Sequence, residues 1–307
     1  MSEAVLAHPQ AVTQTQTQAQ TEAAAPMPPP SGFVRRFARN KVAVAALIVL
    51  LLIVLMSVFA PLLAPHDPAR SSLRNILKPP SANYWLGSDD LGRDVLSRLM
   101  YAGRLSLLAS VQALSIALVI GLPLGLVSGY VGGWVDTVIM RFNDALMSFP
   151  ALILAVVIVG LLGPSLTNAM TAIGLVYAPR IMRVVRGSTL SVREEVYVQA
   201  ARAMGCSDAR IIVRHVLPNI TGPLVVQATV LMGHALLAEA GLSFLGLGVQ
   251  PPQASWGAML GTAFPYLARA PMPTIAAGMV ISVTVLCFNL IGDGLRDSVG
   301  RARRAGD

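Results

Sequence analysis

Long runs of apolar residues are the feature that most restricts how this chain can fold. Residues 42–64 and 145–163 approach or exceed the roughly 20 residues that cross the core of a bilayer. Only 12% of the residues are charged, whereas a soluble domain carries about 25%, and the mean hydropathy is +0.65. The sequence therefore predicts an all-α integral membrane protein.

The candidate transmembrane spans number six. They are residues 42–63, 105–129, 137–162, 166–185, 223–245 and 274–295. The fourth is weak because it contains Thr, Asn, Pro and several arginines, and the distribution of positive charge decides whether it crosses.

Lysine and arginine concentrate in cytoplasmic loops. The flank before the first span, the stretch 180–214 and the C-terminal tail are all rich in arginine, so we expect them on one side of the membrane. That requires an even number of crossings before Arg180, and the weak segment must supply the fourth. Its arginines lie near one end, where they cost less than at the centre of a span. Six spans with both termini in the cytoplasm place 16 of the 23 Lys and Arg residues inside.

Both ends of the chain read as polar tails. Residues 1–40 begin with a stretch rich in Gln, Thr, Ala and Pro, without the basic and apolar regions of a signal peptide. We expect a disordered cytoplasmic tail there, a transmembrane domain over 41–300 and a basic cytoplasmic tail over 301–307.

Several chemistries are disfavoured by the sequence. The net charge of +8 is explained by membrane topology rather than by nucleic acid binding. Cys206 and Cys287 form no CxxC pair, and no two histidines have metal-ligand spacing on one helix face, so we expect no metal. A phosphate-binding loop needs Gly-Lys-Ser/Thr, but Lys41 and Lys78 follow Asn and Leu. We therefore expect no bound cofactor and no catalytic residues in this chain.

One outer segment predicts a short helix. In SDDLGRDVLSRLM (88–100), Ser88 is a suitable N-cap and the two aspartates after it would complement the helix dipole. We expect this helix at the membrane interface, before the second span.

The stretch YVQAARAMGCSDARIIVRHVLPN (197–219) is too polar to span a membrane and too regular to be a slack linker. Its pattern predicts a helix that ends at Gly205 in a left-handed conformation, and a second helix capped by Ser207. We expect Pro218 to stop that second helix. A surface-lying amphipathic loop and a partner-docking element both fit these features.

This stretch resembles the EAA loop of binding-protein-dependent ABC importer permeases. The resemblance rests on Ala200, Ala201, Gly205, Leu217 and Pro218, with Gln199 at the motif's Glu position and His215 at its Ile position. Segments 83–107, 237–260 and 289–300 are similar to the C-type subunit of the dipeptide, oligopeptide and nickel permeases.

The resemblance implies a type I ABC importer permease fold with six spans. It also implies a second permease, two ABC ATPase subunits that hold ATP and Mg, and an extracellular or periplasmic binding protein, all at the bacterial inner membrane. Residues 186–222 would form the coupling loop to the ATPase, with Gln199, Ala200, Ala201, Gly205, His215, Leu217 and Pro218 as its motif residues.

In the resembling family the region around the intramembrane Glu239 contributes to the subunit interface and outer gate. Glu239, Ser243 and Phe244 are therefore possible pathway or gate residues, with a purely structural role for Glu239 as the alternative. The expected cargo is a di- or oligopeptide, although nickel and glutathione systems share this subunit type. A secondary transporter or channel working without an ATPase would also explain the spans and the arginine asymmetry, but not the spaced motif.

Overall fold

The computed structural model describes residues 33–303, with the side chains of residues 35–298. The predicted N-terminal tail lies outside the described residues as far as residue 32, and the basic tail does so from residue 304. Part of the predicted N-terminal tail lies within the described residues. There Phe33–Ala38 form a helix, in a segment expected to be disordered.

The described part of the chain is helical, without strands. The α-helices are α1 Phe33–Ala38, α2 Lys41–Val58, α3 Ala60–Leu63, α4 Val95–Val131, α5 Gly133–Met147, α6 Ala151–Leu162, α7 Leu166–Arg193, α8 Val196–Ala203, α9 Asp208–Ile211, α10 Leu217–Phe244, α11 Trp256–Ala263 and α12 Pro271–Arg303. Short 3-10 turns occur at Leu73–Asn75 and Phe264–Tyr266, and a π turn at Ile212–Val216 joins α9 to α10.

Four of the described helical segments are long and apolar enough to span a membrane. They contain α2, α4, α10 and α12, and the bent pair α5–α6 can supply a fifth span. The weak fourth segment of the sequence is α7, which has 28 residues and falls short of that test on composition. Its length is sufficient for a crossing, since 20 residues of helix rise about 30 Å.

The third span is not the single helix 137–162 that the sequence predicts. It breaks between Met147 and Ala151, and its two halves meet at 89°. Pro150 lies at the break as the N-cap residue of α6, with φ −58° and ψ 124°. Proline has no N–H to donate to the preceding turn and disfavours helical backbone at Phe149 before it, so the helix ends and restarts in a new direction.

Glycines bring α7 into backbone contact with α4. A Cβ atom placed on Gly121, Gly125 or Gly129 would lie 2.7–2.8 Å from a carbonyl oxygen of α7, in Ala178, Met182 and Arg186 respectively. The four-residue spacing puts these three glycines on one face of α4. Small residues at such spacing allow close helix packing in membranes, and here they seat the arginine-bearing helix in the bundle.

The outer helix predicted to begin at Ser88 begins instead at Val95, where it forms the first turns of α4. Its N-cap is Asp94, whose carboxylate accepts from the Ser97 N–H at 2.9 Å. Ser88 forms an isolated bridge with Asp94, and its hydroxyl accepts from the Lys78 N–H at 2.8 Å. Asp94 rather than Ser88 therefore provides the cap, because contacts of Ser88 with residues before the segment hold its first residues in a loop.

Candidate coupling and pathway sites

The stretch 197–219 forms a compact helix pair. Helix α8 ends in a Schellman arrangement, in which the Cys206 N–H bonds to the Ala201 carbonyl at 3.1 Å and the Gly205 N–H to the Arg202 carbonyl at 3.0 Å. Gly205 has φ +79°, a conformation that glycine adopts without a Cβ penalty. Helix α9 then starts with Ser207 as its N-cap residue. The helix, break, helix pattern expected from the sequence is present.

Pro218 does not stop the second helix, contrary to expectation. The π turn Ile212–Val216 precedes it, with the Leu217 N–H bonded to the Ile212 carbonyl five residues back, and α10 continues through Pro218 to Phe244. A proline in a regular helix meets the carbonyl four residues before it, here that of Arg214. The wider turn relieves this conflict, so the loop passes into the membrane helix without a break.

The motif residues occupy different environments in this pair. Ala201 is buried, His215 and Leu217 are half-buried, and Ala200, Gly205 and Pro218 are exposed. Gln199 is also exposed, and its side-chain amide donates to the Glu194 carbonyl at 3.1 Å. At the motif's Glu position the side chain is thus bonded within this chain, at the end of α7.

A polar cluster ties the helix pair to the ends of α4, α5 and α7. Both guanidinium nitrogens Nε and Nη2 of Arg186 donate to the Asp136 carboxylate at 2.6 Å. The Tyr130 hydroxyl, at the end of α4, donates to Asp208 of α9 at 2.7 Å. Charge-assisted and paired bonds of this kind are stronger and more directional than neutral ones. The Tyr130–Asp208 bond therefore holds the α8–α9 helix pair against the bundle.

Two further arginines complete this cluster. Arg193 Nη1 donates to the Tyr130 carbonyl at 3.1 Å. The Arg202 guanidinium carbon lies 5.3 Å from the centroid of the Tyr130 ring, and the nearby tyrosine raises the pKa of Arg202. Arginine is always protonated in proteins, so this contact places a positive charge beside the end of α4.

Glu239 lies in the interior of the subunit, fully buried. Its Oε1 accepts from the Ser243 hydroxyl at 2.6 Å, and its Oε2 accepts from the Ser106 hydroxyl of α4 at 3.3 Å. The same Ser106 oxygen accepts from the Trp256 N–H at 3.0 Å. The carboxylate therefore joins α4, α10 and the start of α11, and neither Glu239 nor Ser243 is on an open surface. Of the three residues proposed for the gate, only Phe244 is exposed, at 40%, with its ring packed on Phe264.

Possible metal ligands do not converge in the described residues 33–303. No group of three or more His, Cys, Asp or Glu side chains there is close enough to hold an ion. Cys206 and Cys287 are both free.

Comparison with known proteins identifies the family. Residues 121–305 match the model described as the binding-protein-dependent transport system inner membrane component. The chain belongs to this permease family. Residues 31–80 also match the N-terminal TM domain of oligopeptide transport permease C, which confirms the resemblance to C-type subunits.

Curated relatives of the permease align over most of its length. The dipeptide transport system permease protein DppC of Alkalihalophilus pseudofirmus is 44% identical over 265 residues, covering 86% of this chain and 87% of the relative. The di/tripeptide permease DppC of Pseudomonas aeruginosa is 43% identical, covering 87% and 90%. The glutathione permease GsiD of Shigella flexneri is 41% identical, covering 87% and 88%.

A solved structure supports the fold. The inward-facing MetNI methionine ABC transporter superposes with a TM-score of 0.56 at 21% identity, covering 67% of this chain and 96% of that chain. The permease therefore has the type I ABC importer fold. The family match makes it a component of the bacterial inner membrane.

The permease also carries polar residues in its membrane helices that sequence reasoning did not group together. Tyr177 of α7 links two of them: its hydroxyl is 3.5 Å from the His234 carbonyl of α10, and Arg180 stacks on its ring. The sequence predicts only that Arg180 lies near the cytoplasmic end of a span, and His234 is assigned no role from the sequence. The contact between Tyr177 and His234 depends on how α7 packs against α10.

Proposed function

We propose that this permease forms, with a second permease, the translocation pathway of an ATP-driven importer for short peptides. Two ABC ATPase subunits would dock on its coupling loop, residues 186–222, and a binding protein outside the membrane would deliver the peptide. Its similarity to a dipeptide permease and a di/tripeptide permease supports a cargo of two or three amino acids.

The observation that carries the coupling role is the exposed surface of the α8–α9 pair. Val196 is 80% exposed and Met204 is 77% exposed, at the two ends of α8. Buried Val198 and Ala201 anchor the opposite face of the same helix. An apolar surface on a rigidly attached, polar-flanked helix pair fits an interface with a soluble partner rather than a free loop. Rigid attachment also allows motion of the partner to move α4, α7 and α10 as a body.

ATP hydrolysis is assigned to the partner for a chemical reason. A phosphate-binding loop uses backbone N–H groups and a lysine that reaches the β- and γ-phosphates. Lys41 is the first residue of α2. Lys78 lies in the loop between α3 and α4, and its Nζ donates to Asn75 at 2.7 Å. Neither lysine follows glycine, so ATP and Mg are expected on the ATPase subunits.

The test is purification of the tagged permease from its native membrane, followed by identification of the proteins that accompany it. We expect a second permease and an ATPase with a phosphate-binding loop, and the reconstituted complex should take up radiolabelled dialanine when ATP and the binding protein are present. A folded permease that is reproducibly alone, or a complete complex that imports no peptide, would contradict the proposal.

Two substitutions locate the docking surface. Val196→Asp and Met204→Asp place a charge in the proposed apolar interface, so the ATPase should be lost from the purified complex while the second permease stays. Leu73→Asp is the matched control, because Leu73 is equally exposed, at 84%, but lies in the loop between α3 and α4, outside the α8–α9 pair. Equal retention of the ATPase by all three variants would remove α8 from the interface.

A further inference from the structure

The face of α10 that carries His234 presents polar groups in the middle of the membrane. The His234 side chain is exposed, and its Nδ1 lies 2.9 Å from the Val230 carbonyl. His234 precedes the outer end of α10 at Phe244 by ten residues, or about 15 Å of helix, which is near the middle of a hydrocarbon core about 30 Å thick. Gln227 is half-buried and lies two turns earlier on the same face.

Exposed polar groups at this depth are costly against lipid, and such residues usually line a water-filled cavity or bundle interior. This face of α10 is therefore a surface of the translocation pathway or of a contact with the second permease.

Helix α7 adds an arginine to this surface. Tyr177 is buried between the two helices, with its hydroxyl directed at the His234 carbonyl. The Arg180 guanidinium carbon lies 4.9 Å from the Tyr177 ring centroid.

Arg180 does not extend toward the cytoplasm, as a lipid-facing arginine near a helix end would. Its guanidinium is held over Tyr177, which lies almost one turn closer to the outer end of α7. Arg180 follows the start of α7 at Leu166 by 14 residues, or about 21 Å, so the charge is retained inside the membrane.

Neighbouring arginines of α7 each have a carboxylate. Arg183 pairs with Asp144 at 2.8 Å, Arg186 with Asp136 at 2.6 Å, and Arg193 with Glu194 at 3.0 Å. Within the described residues, no carboxylate lies within 4.0 Å of the Arg180 guanidinium, which meets only an aromatic ring. A half-buried cation in a membrane helix that has no counter-ion among the described residues is an attractive site for an anion, and the planar guanidinium matches a carboxylate in particular.

We propose that Arg180 binds the C-terminal carboxylate of the peptide during its passage. The Tyr177 ring positions the guanidinium, and His234 supplies a polar surface on the facing helix for the rest of the peptide backbone. This inference rests on the proposed peptide import and adds to it a specificity-determining residue inside the membrane.

The test compares radiolabelled dialanine with its C-terminal amide, which differs only in lacking the negative charge. Binding of each is measured by equilibrium dialysis on the purified, nucleotide-free complex without the binding protein, so that the selectivity of the binding protein does not contribute. A hydrogen bond to a charged group corresponds to about a ten- to hundredfold difference in affinity, so the native complex should prefer the acid by that factor.

The variants assign this preference to one side chain. Arg180→Gln should weaken binding of the acid to the level of the amide, and Arg180→Lys should retain part of the preference. Arg183→Gln is the matched control, because Arg183 lies three residues further along the same helix and already has a carboxylate partner. It should keep the native preference. If the Arg180→Gln complex does not assemble, a reduced preference in Arg180→Lys with an unchanged preference in Arg183→Lys carries the same conclusion.

The outcomes separate this inference from the proposed function. Failure of the native complex to import dialanine with its binding protein would contradict both. Import of dialanine together with equal binding of acid and amide, or an unchanged preference in Arg180→Gln, would overturn the role of Arg180 alone. Loss of the second permease from Arg180→Gln, with the acid preference intact, would instead show that a partner carboxylate neutralises Arg180.

Discussion

At the scale of single residues, Glu239 shows how a carboxylate is accommodated in the interior of this permease. It has no exposed surface, and its two oxygens accept from hydroxyls on α4 and on its own helix α10. Burial of a carboxylate without partners is strongly unfavourable. Its contacts therefore favour a structural role over lining the pathway.

Removal of this carboxylate should destabilise the subunit. Glu239→Ala leaves the Ser106 and Ser243 hydroxyls without their acceptor, at a cost of about 1–3 kcal/mol for each unsatisfied group, and opens a cavity between α4, α10 and α11. We expect a lower melting temperature of the detergent-solubilised complex, measured by tryptophan fluorescence. Glu239→Gln keeps an acceptor, so its melting temperature should lie between those of the native complex and Glu239→Ala.

Glu194→Ala serves as the control for this prediction, since the Glu194 side chain is 64% exposed and its loss should leave the melting temperature unchanged. A Glu239→Ala complex with native stability but altered transport would place Glu239 in the pathway instead.

At the scale of helices, the contact between α4 and α7 explains how a polar helix is retained in the membrane. α7 carries Arg180, Arg183 and Arg186, and isolated in lipid it would be a poor span. Against α4 its backbone approaches Gly121, Gly125 and Gly129 closely, while Asp136 and Asp144 of α5 neutralise two of its arginines. Packing and charge pairing together replace the hydropathy that the segment lacks.

A methyl group in this contact should separate the helices. Gly125→Ala would bring a Cβ to 2.7 Å from the Met182 carbonyl oxygen, and overpacking of this kind costs about 1–3 kcal/mol. We expect a lower melting temperature and reduced yield of the assembled complex on size-exclusion chromatography.

Gly160→Ala in α6 provides the comparison, because a Cβ there meets no atom within 4 Å and alanine favours a helix over glycine. Native stability of both variants would mean that the glycine face does not determine how α7 packs.

At the scale of the whole molecule, charge and apolar surface set its orientation and its surroundings. The cluster of Asp136, Arg186, Tyr130 and Asp208 lies at the same end of the bundle as the α8–α9 pair, and the positive-inside rule places that end in the cytoplasm. Large apolar side chains such as Leu52, Val119 and Leu161 are exposed along the membrane helices, as expected for contact with lipid or a second permease.

The two native cysteines allow this orientation to be measured. Cys206, between α8 and α9, is half-buried, whereas Cys287 of α12 is buried. A membrane-impermeant maleimide should therefore label the native protein only in inside-out vesicles, and Cys206→Ser should abolish that labelling. Trp85→Cys, at an outer position that is 67% exposed, should add labelling in right-side-out vesicles. Labelling of Cys206 in right-side-out vesicles would invert the topology.

Local and periodic signals allowed the sequence by itself to determine much of this protein. The apolar runs predict membrane helices, the arginine distribution predicts the crossing of α7, and Gly205 predicts the break between α8 and α9, because each depends on residues close together in the chain. The family resemblance of the chain is confirmed by the match over residues 121–305, and the assignment of segment 197–219 to coupling remains a prediction.

Only the tertiary structure decided the features that depend on contacts between distant residues. Asp94 rather than Ser88 is the helix N-cap, because the Ser88 hydroxyl bonds to Lys78, ten residues earlier in the chain. Pro218 lies inside a continuous helix because a π turn forms before it. Glu239 became an interior residue through Ser106, which is 133 positions away. Tyr177, which carries Arg180 on its ring, contacts His234 only because α7 and α10 pack together. Hydropathy and spacing report the preferences of a segment, but which polar groups find partners is set by the packing of whole helices.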